Sequence, residues 1–378
     1  MNIAQSAFES LTTTDSRPTA IVIGTGFGGL AAAIRLGAKG YRVHMLEKLD
    51  APGGRAYVYH QDGFTFDAGP TIVTAPFLLE ELWQLCGKRF SDDVDLRPMD
   101  PFFRLRFDDG RIFDYCGDKR RNLEQIKSYC AEDADGYEAY LEASEKRYKV
   151  GFEGLVDKPF DSLMALFRFL PELIKLRSDR SVYRLVSRYI RDPQLRMTMS
   201  FHPLLIGGNP FSVTSVYTLI SYLEQRWGVW SAMGGTGSIV KGMAGLIEGQ
   251  GGKIECNAEV EEILVENGNA KGVRLRDGRV LHSDLIVSNA DAAWTYRHLI
   301  DSETAFKSDV LFAGGVPVGA PEAAQAACKR AATKYGNYVQ LLASCPLDYC
   351  TPTRALSSCT VLGHRPCSTT SSVLCAHL

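Results

Sequence analysis

The chain has 378 residues, 45% of them hydrophobic, enough to fill the cores of two domains. Its 42 basic and 44 acidic residues give a net charge of −2, and it carries no basic-aromatic recognition module, so a general nucleic-acid binder is excluded. Residues 1–18 are polar and read as a disordered lead without a secretory signal. No run approaches the roughly 18 apolar residues of a membrane-spanning helix.

A short apolar strand over 20–23 runs into Gly24-x-Gly26-x-x-Gly29. A small-residue helix over 30–39 follows, ended by Gly40, then a second strand over 41–46 with Glu47 at its end. Gly24 makes the tight turn, and Gly26, with Phe27 and Gly28 beside it, lets backbone approach a pyrophosphate. Gly29 lets helix and strand pack closely, while the helix N-terminus faces the negative charge. Glu47, with Lys48 next to it, stands where a carboxylate accepts hydrogen bonds from a ribose diol. The pattern predicts dinucleotide binding.

Pro52-Gly53-Gly54-Arg55 follows too soon for the helix that leads to a third parallel strand. The glycine pair lets the chain pass close to a cofactor, and Arg55 offers a planar fork for phosphate or flavin oxygens; a surface turn with a solvated arginine is the plainer reading. An alternating strand over 63–67 then ends in the Gly69-Pro70-Thr71 turn.

Downstream, 104–113 reads as a hairpin around Asp109-Gly110, 123–149 as charged helix, and helices dominate to about residue 230. Gly234-Gly235-Thr236-Gly237 opens another helix, either by letting backbone approach a flavin ring or simply with Thr236 as N-cap. Strands follow over 252–257, 258–266, 272–275, 280–282 and 285–288, the last ending in Asn289-Ala290-Asp291. Strands thus open and close the chain around inserted helices, the order of a nucleotide-binding domain split by a second domain. The boundaries read as 19–118 with 234–300 for the first and 119–233 for the second.

Within the insert, 160–176 is apolar, and 168–196 holds eight basic against three acidic residues, a net of +5. Arg180, Arg184, Arg188 and Arg191 are spaced for one helical face. Either a core helix precedes a solvated one, or an apolar face beside a basic one sits on an anionic bilayer. Six of the ten cysteines crowd into the last 51 residues at irregular spacing, which suits neither zinc nor a disulfide framework.

The run from Ile21 to Thr71, above all Gly53-Gly54-Arg55-Ala56-Tyr57 and Phe64-Thr65-Phe66-Asp67-Ala68-Gly69-Pro70-Thr71, resembles the bacterial phytoene desaturase family of FAD-dependent carotenoid oxidoreductases. More distantly it is similar to the amine oxidase flavoproteins. The resemblance implies an α/β fold, an FAD-binding Rossmann-like domain split by an inserted substrate domain. It implies FAD as cofactor, phytoene as substrate, oxidoreduction of CH–CH bonds, and a quinone or oxygen as terminal acceptor. It also implies a cytoplasmic protein peripherally attached to a membrane, since such a hydrocarbon must be drawn from lipid. Val260 matches the region whose backbone contacts the adenine, and Asn289 and Asp291 match the pattern after the returning strand.

Residues 200–211, 216–220 and 227–230 are similar to the family's substrate-domain segments, and their aromatics suit a polyene that has no polar handle. The hard chemistry belongs to the flavin, and Arg168 and His202 are the polar residues offered as catalytic candidates. Other readings are a carotenoid isomerase, a C30 desaturase or ketolase-like oxidase, or a chain without catalytic activity. Beyond residue 300 the resemblance stops. A reading-frame change near 301–305 is the expectation for the 301–378 tail, with the tail disordered and flavin binding weak or lost.

Overall fold

The computed structural model describes residues 16–67, 69–154, 167, 170–172, 174–291, 294–300 and the backbone of 360–363. The central strand β1 (Thr19–Ile23) is buried at four of its five positions. It pairs in parallel with β2 (Arg42–Leu46) on one side and β13 (Leu285–Ser288) on the other, with Ile21 opposite both His44 and Ile286. β9 (Lys253–Glu255) extends the sheet beyond β2. Thus strands that open the chain and strands that close it share one parallel sheet, as the order of predicted elements requires. Of the 301–378 tail, the described part is β14 (Thr360–Gly363), an antiparallel edge strand on β13 rather than irregular chain. The rest of the tail lies outside the described residues.

α1 (Phe27–Ala38) lies on this sheet through Leu30, Ala31, Ala33 and Ile34, none of which is exposed. α2 (Pro76–Leu85) and the long helix over Thr236–Gly249 join α1 in the same core, around Leu82, Trp83, Val240 and Met243. On the sheet's other face β10 (Val260–Glu266), β11 (Asn269–Leu275) and β12 (Val280–His282) form an antiparallel meander packed against Ile21, Ile23 and Leu46.

β3 (Val58–Gln61) and β4 (Phe64–Asp67) form a hairpin across Asp62-Gly63, both in the left-handed region. Positive φ at both central residues is what a two-residue hairpin turn demands. The sequence reading sees the second of these strands and misses the first.

A separate core gathers Phe113, Tyr115, Tyr137, Tyr140, Val186 and Leu195. It is built by the hairpin β6 (Phe103–Arg106) and β7 (Ile112–Tyr115) with α3 (Lys119–Tyr129), α4 (Asp133–Tyr148), α5 (Val182–Val186) and α6 (Pro193–Ser200). The single charged helix expected over 123–149 is therefore two. Asp118 caps α3 by accepting from the Arg120 and Arg121 amides, and buried Asp133 opens α4 while accepting from the Arg191 and Asp192 amides.

The basic face expected over 180–191 is not continuous, because α5 stops at Val186 and a turn follows. Arg184, Arg188 and Arg191 are still exposed. α7 (Leu219–Trp227) leads into β8 (Trp230–Ala232), which pairs with β5 (Leu96–Pro98) and delivers the chain to α8 (Thr236–Gly249). Among the described residues no helix is long and apolar enough to cross a membrane.

Candidate functional site

Three glycine-bearing loops meet at the carboxyl ends of the parallel strands. Gly24 turns with φ +88°, a conformation that L side chains rarely adopt, and its amide donates to the Leu46 carbonyl at 2.8 Å. A Cβ on Gly29 would stand 2.0 Å from the Gly24 carbonyl oxygen, and one on Gly26 would stand 3.1 Å from Asn289 Nδ2. Gly53 bridges in parallel to Gly26, with its amide donating to the Thr25 carbonyl at 3.1 Å. A Cβ on Gly54 would approach the Gly26 Cα to 2.9 Å, and one on Gly69 the Arg55 carbonyl oxygen to 2.2 Å. The loops over 24–29, 53–55 and 69–71 are thus stacked in sequence order, each seated where the next has no side chain.

The N-terminus of α1 points into this assembly with Gly26 as N-cap, no side-chain cap and no acidic residue in its first turn. Its partial positive charge is therefore left for an anion. Glu47, 4% exposed, closes the far side. Its Oε2 accepts from the Thr25 amide at 2.9 Å and the Thr25 hydroxyl at 2.6 Å, and its Oε1 accepts from the Leu49 amide at 3.0 Å. A carboxylate has about four acceptor sites, so one remains for a ligand hydroxyl. An uncapped helix beside a Gly-rich turn and a fixed carboxylate fit the pyrophosphate and ribose of a dinucleotide.

The remaining predicted residues distribute around these loops. Lys48, Arg55 and Thr71 are exposed, and Gly69 and Pro70 half-buried. Asn289 sits between the glycines, its side chain also lying 3.2 Å from the Gly29 Cβ position. Asp291 accepts from the Trp294 amide at 3.0 Å and starts the last turn of the described chain. Val260 is buried in the core that also holds Ile21 and Ile23.

Of the two catalytic candidates, Arg168 lies outside the described residues. His202 is 1% exposed and pairs at 2.9 Å with Glu224, which is 0% exposed. Its other nitrogen stands 3.3 Å from the Ser221 hydroxyl, which meets the Tyr140 hydroxyl at 2.7 Å. Burial pushes the Tyr140 phenol up to about 12, so it stays protonated and donates to the Met199 carbonyl. These partners belong to the helical core rather than to the glycine loops, so His202 stands buried in that core and not among the loops. Thr236 is not the N-cap of α8; Gly235 is, without a side-chain cap.

Sequence reasoning singles out Trp227 and Trp230 but misses the rest of a row of rings. Trp227 lies tilted against Phe77 at 4.5 Å, Phe77 meets Phe152 at 6.3 Å, and Tyr148 lies between Phe152 and Tyr222, 5.2 Å from each. Trp227 donates from its indole to the Tyr148 hydroxyl at 3.3 Å, and its carbonyl accepts from the Trp230 indole at 2.7 Å. Trp230 in turn exchanges two 2.8 Å backbone bonds with Val73, two residues past Thr71. The row reaches the cofactor loops through that bridge. Phe77 stands at the start of α2 and Tyr148 at the end of α4, so no local pattern links them.

Residues 27–325 match the family described as flavin containing amine oxidoreductase. The chain belongs to that family. Its cofactor is accordingly FAD, and the match runs 25 residues beyond the point where the sequence reading lost the resemblance. It is 50% identical over 285 residues to a neurosporene-forming phytoene desaturase of Cereibacter sphaeroides, covering 74% of this chain and 54% of that one. It is 48% identical over 280 residues to a lycopene-forming phytoene desaturase of Pseudescherichia vulneris, covering 74% and 57%. The chain thus spans about half the length of the curated relatives it matches. Among solved structures, an oxidoreductase from Methanosarcina mazei superposes with a TM-score of 0.54 at 22% identity, over 82% of this chain and 64% of that one. A Pyrococcus furiosus protein does so with 0.52 at 20%, over 75% and 62%. Both share the α/β flavoprotein fold.

Proposed function

We propose that this chain carries the FAD-binding part and the adjoining portion of the substrate-binding part of a phytoene desaturase, which introduces conjugated double bonds into a C40 hydrocarbon. The observation that carries the reading is the 45–50% identity to five phytoene desaturases over 280–289 residues, about three quarters of this chain. In this reading the α1 N-terminus and the Gly24–Gly29 turn hold the pyrophosphate, Glu47 the ribose, and the turns at Gly53–Arg55 and Gly69–Thr71 the flavin end.

FAD, when bound, supplies the hydride acceptor. The chain's own residues bind, orient and exclude water. Phe77, Trp227, Phe152 and Tyr222, half-buried around buried Tyr148, offer flat apolar faces to a polyene that has nothing to hydrogen-bond. The same faces tolerate positive charge developing on the hydrocarbon as a hydride leaves. Arg168 remains a candidate for the polar group at the reacting carbons. The terminal acceptor in this proposal is a quinone or oxygen.

Peripheral membrane attachment is part of the proposal. Phe167, Leu170, Ile174, Met197, Leu204 and Phe211 are exposed large hydrophobics, in a stretch that also exposes Arg184 and Arg188. Apolar side chains inserting beside basic ones is how a protein holds an anionic bilayer.

The test is reconstitution of the purified chain with FAD, phytoene-loaded anionic liposomes and a quinone. Conjugated product absorbing in the visible is expected. Retained flavin with only geometrical change in an added polyene would indicate an isomerase instead, and a chain that holds no flavin refutes the assignment of the loops.

A further inference from the structure

The glycines of the Gly234–Gly237 loop have occupants within the protein. A Cβ on Gly235 would stand 2.1 Å from Asp67 Oδ2 and 2.6 Å from Asp67 Oδ1, and Gly235 has φ +75°. A Cβ on Gly237 would stand 2.6 Å from Val58 Cγ2. Val58 and Asp67 face each other across the last rung of the β3–β4 hairpin. One cross-strand pair therefore straddles both glycines, and the loop is bare at 235 and 237 because the hairpin end sits in it. Close approach of a flavin is not needed to explain them.

The geometry has an electrostatic consequence. The Asp67 carboxylate lies across the N-terminus of α8, a helix of 14 residues with no side-chain cap. Asp67 Oδ1 is buried with no hydrogen-bond partner, and so is Oγ1 of Thr236, which is 3% exposed. Oδ1 of the carboxylate thus stands at the N-terminal end of the helix, towards its partial positive charge, with no hydrogen-bond partner. Asp67 also lies two residues before Gly69, whose Cβ position is filled by the Arg55 carbonyl oxygen. The carboxylate packs against the loop at 234–237, on the strand end that leads two residues later into the turn at 69–71.

We infer that Asp67 is a positioning residue that clamps these two loops together and sets the electrostatic potential at the flavin ring. This rests on the reading above that the turn at 69–71 faces the ring. A fixed negative charge there opposes the extra negative charge of the reduced flavin, while the α8 N-terminus favours it. Asp67 offsets the helix, and its removal leaves the helix field uncompensated.

The experiment compares the full chain with Asp67→Asn and Asp67→Glu, reading two quantities. Amide hydrogen exchange over 57–67 and 233–240 reports the clamp with or without flavin, and is expected to accelerate in Asp67→Asn at both segments. The midpoint potential of bound FAD is expected to move to a more positive value in Asp67→Asn and to return towards wild type in Asp67→Glu, a pattern that loosening alone does not produce. Unchanged exchange in Asp67→Asn overturns the clamp. Retained FAD with an unchanged potential overturns the electrostatic role while leaving the loop assignment standing. A wild-type chain that binds no FAD overturns the loop assignment and the electrostatic role together, and the exchange data still decide the clamp.

Discussion

Substituting Gly29→Ala tests the tightest point of the cofactor assembly. The new methyl would lie 2.0 Å from the Gly24 carbonyl oxygen and 3.2 Å from the Asn289 side chain. An ordinary heavy-atom contact needs roughly 3.5 Å, so strand turn and helix must separate by about 1.5 Å. They cannot do so cheaply, because Leu30, Ala31, Ala33 and Ile34 on α1 are all fully buried against the sheet. Overpacking a close-packed core costs about 1–3 kcal/mol, and a methyl against backbone belongs at the upper end. At ~3 kcal/mol the folded-to-unfolded ratio falls roughly 100-fold, since about 1.4 kcal/mol is tenfold. Urea unfolding would read this as a lower midpoint at unchanged slope. Gly245→Ala is the control: it lies on the exposed side of α8 with nothing within 4 Å of its Cβ position, and it should gain about 0.4–1 kcal/mol. A Gly29→Ala chain with the wild-type midpoint would refute the account of how strand, turn and helix fit together.

Other expected outcomes follow from single side chains. Glu47→Gln turns one acceptor towards the Thr25 or Leu49 donors into a donor, which should cost about 1–3 kcal/mol in a melt and weaken FAD in a fluorescence titration. His202→Ala leaves Glu224 Oε2 buried without its hydrogen-bond partner and should cost about 1–3 kcal/mol, whereas His202→Leu with Glu224→Leu should cost clearly less; a double-mutant cycle with no coupling would contradict the pairing. The Lys253 ammonium, then Arg279, then His44 hold the Glu255 carboxyl down to about 2, below its ordinary 4.5. Its folded-state value is the lower one, so its contribution is present above pH 4.5 and fades as the pH drops towards 2. Unfolding followed over that window should show a shallower acid loss in Glu255→Gln.

What the sequence makes legible is local. Gly24, Gly26, Gly29 and Glu47 can be read because their reasons lie within one strand–turn–helix–strand unit whose spacing is fixed by backbone geometry. The Asp62-Gly63 and Asn267-Gly268 turns carry an equally local signal, although the reading of the sequence passes over both. Both put two consecutive residues at positive φ, and the second pairs Glu266 with Asn269 and extends β11 back to Asn269. The row from Phe77 through Tyr148 to Trp227 carries no such local signal, since its rings come from three helices far apart in sequence. The periodic arginines misled for a related reason. Spacing by four implies one face only if the helix persists, and buried Asp133 instead captures the Arg191 and Asp192 amides in a turn.

The glycines also show why motif reading alone misassigns cause. Gly29, Gly54, Gly69 and Gly235 all lack room for a Cβ; at Gly29 the atom in the way is the Gly24 O of its own turn, and at the other three it belongs to a neighbouring loop or strand: Gly26 Cα, Arg55 O and Asp67 Oδ2. These contacts join the loops end to end from the α1 N-terminus to that of α8. The side-chain-free positions therefore first serve a protein–protein fit, and the surface offered to the cofactor is what that fit leaves over. It follows that alanine at Gly54, with 2.9 Å to the Gly26 Cα, should disturb the turn over 24–29 although it lies in a different loop. Amide exchange at Phe27 and Gly28 should accelerate in Gly54→Ala, and unchanged exchange there would mean that the loops are set independently.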